Sequence, residues 1–460
     1  MPPVSPSFPH DRLRLENPWW RGAGDPDAVL PRRDLFERLF RTVHDGTGVI
    51  RLAGPRRVGK SVLIRQLILR LLQTGLPPDA VAVIPWDAPA LSGVPLERLW
   101  AALPLAGREG WRLLVLDGCQ HRPTAQAEAA ALAAAEPGLC LVTVSALGGA
   151  AGADLVLPPL RFCEYLRLTG TEDDLVEPVF LGRSGRPGMF AVRDMAGLNR
   201  RFADYLAGGG FPEAVLLRQG GDGGRILRDR VIDALLHHDL PALCGLGDSA
   251  GLTDLFVRLA HASGRELTIE GLSEETGLAK NTVRRYLDHL ESAFLITRMG
   301  RVHPAGDRFR RMRSFKLHLT APCLHAALFG PSPPDSPAFA ALAEGAIVGQ
   351  WLGSAERERL VFCRLAQGTV DLVGLSAEDD RPVWACAVPG NDDSVGDQNW
   401  ISGLIQFSRL NPGLRWLGAT TRSIAALRSH PLEDGRKVEV WHRPAAQYGY
   451  EVGRRIASEG

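Results

Sequence analysis

Between Leu30 and about Leu168, short apolar runs alternate with longer stretches whose apolar positions recur every three or four residues. The runs Val49 to Ala53, Ala80 to Trp86, Arg112 to Asp117 and Leu139 to Val144 predict strands, the most apolar of them buried on both faces. The amphipathic stretches Asp34 to Thr42, Lys60 to Thr74, Pro95 to Ala102 and Ala125 to Ala135 predict helices. Strands alternating with helices predict a parallel sheet covered on both faces, because a parallel connection must cross back over the sheet. After this region comes a mostly helical stretch from Leu198 to about Met299, broken by the turn Gly208-Gly209-Gly210. The charged segment Arg298 to Lys316 and the proline-rich break from Pro331 to Pro337 follow. Beyond them, candidate strands lie at Leu360 to Leu365, Thr369 to Gly374 and Val383 to Val388. At the other end, Pro2, Pro3, Pro6, Pro9, Pro18 and Pro26 make residues 1–29 read as an arm or linker, since proline brings no backbone donor.

Composition narrows the picture. With 53 Lys and Arg against 52 Asp and Glu, the net charge of +1 exerts no chain-wide pull on nucleic acid or anionic lipid, so any nucleic-acid surface has to be local. The seven cysteines are scattered without zinc-ligand spacing and read as small apolar residues of a reducing compartment. No uninterrupted apolar segment is long enough to span a bilayer, and the expectation is a cytoplasmic protein without a membrane partner.

The chemistry concentrates after the first predicted strand. Gly54, Pro55, Arg56, Arg57, Val58, Gly59, Lys60 and Ser61 match GxxxxGK[ST] in full, with the strand before them and the helix, opening with Val62, behind them. In such a loop the glycines let backbone N–H groups converge on phosphates, and the helix N-terminus adds its partial positive charge. Lys60 is expected to reach the β- and γ-phosphates of ATP, and the Ser61 hydroxyl to hold Mg2+. Asp117, ending the run Trp111 to Asp117, is the expected second support for the metal. Active enzymes of this class usually place a glutamate immediately after that aspartate, to polarise water; here the position is Gly118. Gln120 and His121 are the nearby alternatives for orienting water, and Ser145 is a candidate γ-phosphate sensor.

These residues resemble a prokaryotic group of AAA+ ATPases of uncharacterised function, in which a P-loop domain precedes a winged-helix-like module and a restriction-endonuclease-like C-terminal region. The resemblance runs from about Leu30 to the end of the chain. Beside the P-loop it rests on Leu116-Asp-Gly-Cys-Gln120, Pro159-Leu-Arg-Phe-Cys-Glu-Tyr165 and Tyr205-Leu-Ala-Gly-Gly-Gly-Phe-Pro-Glu-Ala-Val215. It implies an α/β fold class: an AAA+-like P-loop NTPase domain over 30–170, a helical and winged-helix-like module over 171–316, and a smaller mixed α/β domain over 317–460. It also implies a nuclease-like constellation, for which Glu344 and Asp371 fit two places. The strand that should carry an acid and a lysine instead reads Trp384-Ala-Cys-Ala-Val-Pro389, so nuclease activity is expected to be lost.

The stretch Leu267 to Leu290 has a helix-turn-helix layout, with Gly277 in the turn and Val283, Leu287 and Leu290 on one face of the second helix. On DNA that helix would expose Lys280, Asn281, Arg284 and Arg285, and Arg298, Arg301, Arg308, Arg310, Arg311, Arg313 and Lys316 would supply phosphate contacts. Packing of such a module against the nucleotide domain is the competing reading. The functional expectation is an ATP-held conformational switch with weak or partner-dependent hydrolysis. Two alternatives stay open: an active DNA-dependent ATPase of a mobile-element or defence system, and an interaction platform whose protein partner, or second copy, completes the ATPase.

Overall fold

The computed structural model describes residues 8–22, 29–91, 93–148, 153–180, 187–217, 223–244, 249–309, 314–431, 435 and 437–459. The chain divides into two compact units, Met1–Pro158 and Pro159–Glu459.

In the first unit, β1 (Gly48–Ala53), β2 (Val81–Pro85), β3 (Arg112–Asp117), β4 (Leu139–Ser145) and β5 (Leu155–Val156) form one sheet in the order β2-β3-β4-β1-β5. Every pairing in it is parallel. This is the P-loop nucleotide-binding fold that the sequence predicts, with β5 as an added strand. The alternation along β3 shows why it sits inside: Leu113 and Val115 enter the core beneath the helices Phe36–His44 and Lys60–Gln73. Leu114 and Leu116 enter the opposite core, which includes Leu99 of the helix Leu96–Ala101 and Ala129 of the helix Ala125–Ala135. A strand apolar on both faces is stable only between two covering layers.

The described part of the N-terminal segment is not a free arm. A helix spans Phe8–Glu16 and a 3-10 turn spans Pro18–Arg21. Pro9 and Pro18 each stand at the start of their element, where a missing N–H breaks no helical hydrogen bond. The segment lies along the open edge of β2. Asn17 Nδ2 donates to the Val83 carbonyl at 2.9 Å while its Oδ1 accepts from the Val83 N–H at 2.7 Å. The indoles of Trp19 and Trp20 donate to the Val81 carbonyl at 3.2 and 2.9 Å. Side chains thus satisfy edge groups that another strand would otherwise seek.

The second unit is built on a nine-stranded mixed sheet. Its strands are β8 (Glu266–Thr268), β9 (Ile296–Val302), β10 (Ser314–Leu319), β11 (Leu360–Leu365), β12 (Gly368–Leu375), β13 (Pro382–Ala387), β14 (Trp416–Thr421), β15 (Ala426–Pro431) and β16 (Lys437–Pro444). A separate hairpin pairs β6 (Val176–Phe180) with β7 (Pro187–Val192). Helices Ala250–His261, Ile269–Thr276 and Lys280–Ser292 precede the antiparallel pair β9 and β10. Gly277, at φ 72, ends the helix Ile269–Thr276 in the left-handed conformation that a tight interhelical turn requires.

The expected division of 171–460 into two domains does not match this arrangement. The boundary at 316/317 falls inside β10, and β9 joins β11 in parallel through Arg301 with Phe362 and Val302 with Cys363. One continuous sheet therefore carries both parts. The boundary at 170/171 likewise falls within the second unit, which begins at Pro159.

Candidate nucleotide-binding site

The P-loop leaves β1 at Ala53 and enters the helix Lys60–Gln73. A Cβ on Gly54 would lie 2.2 Å from the Leu157 carbonyl oxygen, so only glycine lets β1 pass the end of β5 at this spacing. Gly59 caps the helix at φ 97, and Arg57 takes φ 63, a left-handed conformation that a non-glycine residue adopts at some cost. Lys60 Nζ donates to the carbonyls of Gly54 and Pro55, both at 2.8 Å, and so holds the loop wrapped around its own ammonium. Burial brings the Lys60 ammonium down to about 8, against the attraction of Asp117 and with help from Arg56. A polyanion in the loop would compensate that charge.

Arg33, which matches no sequence motif, braces the loop from behind. Its guanidinium donates to the Val58 carbonyl at 2.7 Å and the Pro158 carbonyl at 2.8 Å, and it is buried. A lone arginine ahead of a helix carries no motif, so only the fold reveals its role.

Asp117 stands where the motif reading puts it, at the end of β3. Ser61 Oγ donates to Asp117 Oδ2 at 2.8 Å, which brings together a hydroxyl and a carboxylate, the hard oxygen donors that suit Mg2+. Burial pushes the Asp117 carboxyl up, opposed by the Ser61 hydrogen bond and the Lys60 charge, while the charge of Asp87 adds to the rise. Asp87 was not a candidate in the sequence, because an aspartate two residues past a strand matches no motif.

Ser145 ends β4 beside Ala53, but its hydroxyl donates to the Leu147 carbonyl at 2.8 Å and accepts from the Leu147 N–H at 3.0 Å. It closes its own turn, and in this state the hydroxyl proton is not offered to a phosphate. Gln120 is drawn to the same turn, where its Oε1 accepts from the Ala146 N–H at 3.1 Å.

The candidate nucleic-acid residues divide differently. Lys280, Arg284 and Arg285 are all exposed on the helix Lys280–Ser292, yet Lys280 pairs with Glu270 at 3.3 Å and Arg284 bonds Asn281 at 2.9 Å. Arg310, Arg311 and Arg313 lie outside the described residues. The described members of the basic stretch are committed to acids. Arg298 pairs with Asp288 and Glu291, Arg301 with Glu266, and Arg308 with Asp380. Lys316 is no phosphate contact at all, because it is buried between Glu344 and Asp371, at 2.8 Å from each. Lys316 of β10 thus meets Glu344 and Asp371. Its ammonium occupies the space between the two carboxylates, and among the described residues no cluster of three His, Cys, Asp or Glu could hold a metal ion.

The six cysteines whose side chains are described, Cys119, Cys140, Cys163, Cys323, Cys363 and Cys386, are buried, and none of them is in a disulfide. Among the described residues, no helix is long and apolar enough to cross a membrane.

A domain of unknown function (DUF8612) matches residues 199–335. The uncharacterised proteins Rv2008c of Mycobacterium tuberculosis and Mb2031c of Mycobacterium bovis are each 27% identical over 278 residues, covering 59% of this chain and 54% of theirs. The chain thus spans about half the length of these curated relatives. Among solved structures, a Walker-type ATPase of Pyrococcus abyssi is similar over 65% of this chain and 96% of its own, at 12% identity and a TM-score of 0.39. The Drosophila ORC bound to DNA is similar over 72% of this chain and 94% of that one, at 16% identity and a TM-score of 0.24.

Proposed function

We propose that this chain binds ATP with Mg2+ in the Gly54–Ser61 loop and acts as an ATP-dependent conformational switch whose hydrolysis is weak or needs a partner. The observation that carries the reading is the Ser61–Asp117 contact at 2.8 Å, formed across the sheet beside the loop that Lys60 holds in shape. In this reading Lys60 turns from the Gly54 and Pro55 carbonyls to the β- and γ-phosphates, and the helix N-terminus that follows adds backbone N–H donors. Ser61 and Asp117 are the residues that would hold Mg2+, which would supply positive charge against the phosphates. Gly118 withholds the usual carboxylate, which supports slow turnover.

Titration with a fluorescent ATP analogue, with and without Mg2+, tests the reading. Wild type is expected to bind in a Mg2+-dependent way, and Lys60→Ala to weaken binding at least about tenfold, as the loss of a charge-assisted contact of about 1.4 kcal/mol or more implies. Equal binding by wild type and Lys60→Ala would remove the site from consideration.

A second reading, DNA contact through Lys280, Arg284 and Arg285, is favoured by their common exposure on the second helix of what we read as a winged helix. The ion pairs of Arg298, Arg301 and Arg308 weigh against it. Affinity for duplex DNA that falls steeply between about 50 and 200 mM salt, and that is reduced in Arg284→Ala and Arg285→Ala, is its expected signature.

A further inference from the structure

Gly118 leaves the position after Asp117 without a side chain, and the volume that side chain would enter is already filled. A Cβ on Gly118 would lie 2.6 Å from both Cβ and Cγ of Asp87 and 2.9 Å from its backbone nitrogen. Distances below about 3 Å between such atoms are repulsive, so a glutamate at 118 and Asp87 in its present place exclude each other. At φ +85, Gly118 also holds a conformation that glycine reaches without strain.

The strand register explains how Asp87 arrives there. Pro85 of β2 is the partner of Asp117 in β3, and the Trp86 N–H donates to the Asp117 carbonyl at 2.6 Å. Asp87 is therefore carried just past the strand ends, at the edge where the P-loop, Ser61 and Asp117 gather. Its side chain is exposed, and among the described residues its carboxylate makes no hydrogen bond and no ion pair. An acid left unpaired beside another aspartate at the strand ends is electrostatically unfavourable for the empty protein. Structural needs do not account for it, since no backbone or side-chain donor among the described residues depends on it.

We propose that Asp87 is the carboxylate that orients the attacking water during ATP hydrolysis, supplied by the neighbouring strand in place of the glutamate that Gly118 excludes. The assignment rests on the nucleotide reading above. Asp87 accepts a hydrogen bond from the water, whose oxygen forms the new bond to the γ-phosphorus. The bond from that phosphorus to the β,γ-bridging oxygen breaks, and its electron pair stays on ADP. The water proton passes by way of the carboxylate to phosphate or solvent. Only ATP, water and Mg2+ are consumed or required. An aspartate is one methylene shorter than the usual glutamate, which fits modest rather than rapid turnover.

The test uses the full chain and Asp87→Asn, which keeps the volume and removes the charge. Expected are a Mg-ATP dissociation constant within about threefold of wild type and phosphate release slowed on the order of 10²-fold. Nucleotide extracted from the complex after incubation should be ATP in Asp87→Asn and ADP in wild type. Asp87→Glu should retain more turnover than Asp87→Asn. Equal turnover in wild type and Asp87→Asn overturns the proposal, as does a wild type that binds ATP without hydrolysing it. Loss of ATP binding in Asp87→Asn together with a lowered melting temperature makes the residue structural, and also overturns it. A wild type that binds no ATP sinks the nucleotide reading itself, a result that the binding arm separates from the others.

Discussion

Gly118 is held by two constraints at once, a left-handed backbone and the Asp87 side chain packed against its Cα. Gly118→Ala violates both and is expected to destabilise the first unit by about 1–3 kcal/mol, measured as a lowered midpoint in chemical denaturation. Gly118→Glu restores the sequence pattern of an active ATPase, yet it is expected to displace Asp87 and to lower turnover. The P-loop residues were legible because their chemistry needs fixed types at fixed spacing: Gly54, Gly59, Lys60 and Ser61 declare themselves in any sequence. Asp117 was legible from the apolar strand it ends. Asp87 and Arg33 were not, because each acts through a neighbour that is distant in sequence: Gly118 for the first, Val58 and Pro158 for the second. Ser145 illustrates the converse: its strand-end position makes it a candidate sensor in the sequence, while its hydroxyl donates to the Leu147 carbonyl.

At the scale of elements, the edge of β2 is closed by one amide side chain and two indoles. Asn17→Ala would leave the Val83 N–H and carbonyl facing a space that Asn17 now fills, and the expected loss is about 1–3 kcal/mol in denaturation. Asn17→Asp, which can accept from the N–H but not donate to the carbonyl, is expected to lose part of that. The β15–β16 hairpin carries a pH-sensitive pair. His442 is fully buried, neither ring nitrogen has a hydrogen-bond partner among the described residues, and burial, His430 and Arg428 together bring it down to about 4. A depressed histidine means that the unfolded chain binds the proton more readily than the folded one. Stability is therefore complete above the ordinary histidine range and lost as pH falls through it towards 4, by on the order of 2 kcal/mol. Thermal melts across pH 4 to 7 are expected to show that slope in wild type, and His442→Leu to flatten it. Helix and strand positions were readable from periodicity, and β11, β12 and β13 lie within a residue or so of the expected runs. The proline-rich start misled because proline breaks a helix interior and tolerates a helix beginning.

At the scale of the molecule, the second unit is tied through a buried charge cluster. Lys316 comes from β10, Glu344 from the helix Pro337–Gly349, and Asp371 from β12, whose Oδ2 also accepts from the Val388 N–H at 2.7 Å. Three segments far apart in sequence thus meet at one ammonium. Lys316→Met is expected to destabilise the protein by about 3–5 kcal/mol, because it strands two carboxylates in a buried site. Adding Glu344→Gln and Asp371→Asn should recover much of the loss, a comparison made by denaturant unfolding of the three proteins. The sequence by itself determined the parallel α/β sheet and the placement of the GxxxxGK[ST] loop after β1 and of Asp117 at the end of β3, because periodicity and local motifs are written in neighbouring residues. Tertiary structure alone decided that β9 continues into β11 as one sheet, that Lys316 neutralises Glu344 and Asp371, and that Asp87 fills the space beside Gly118. Those outcomes depend on strand order and on close approach between distant segments, which no local pattern encodes.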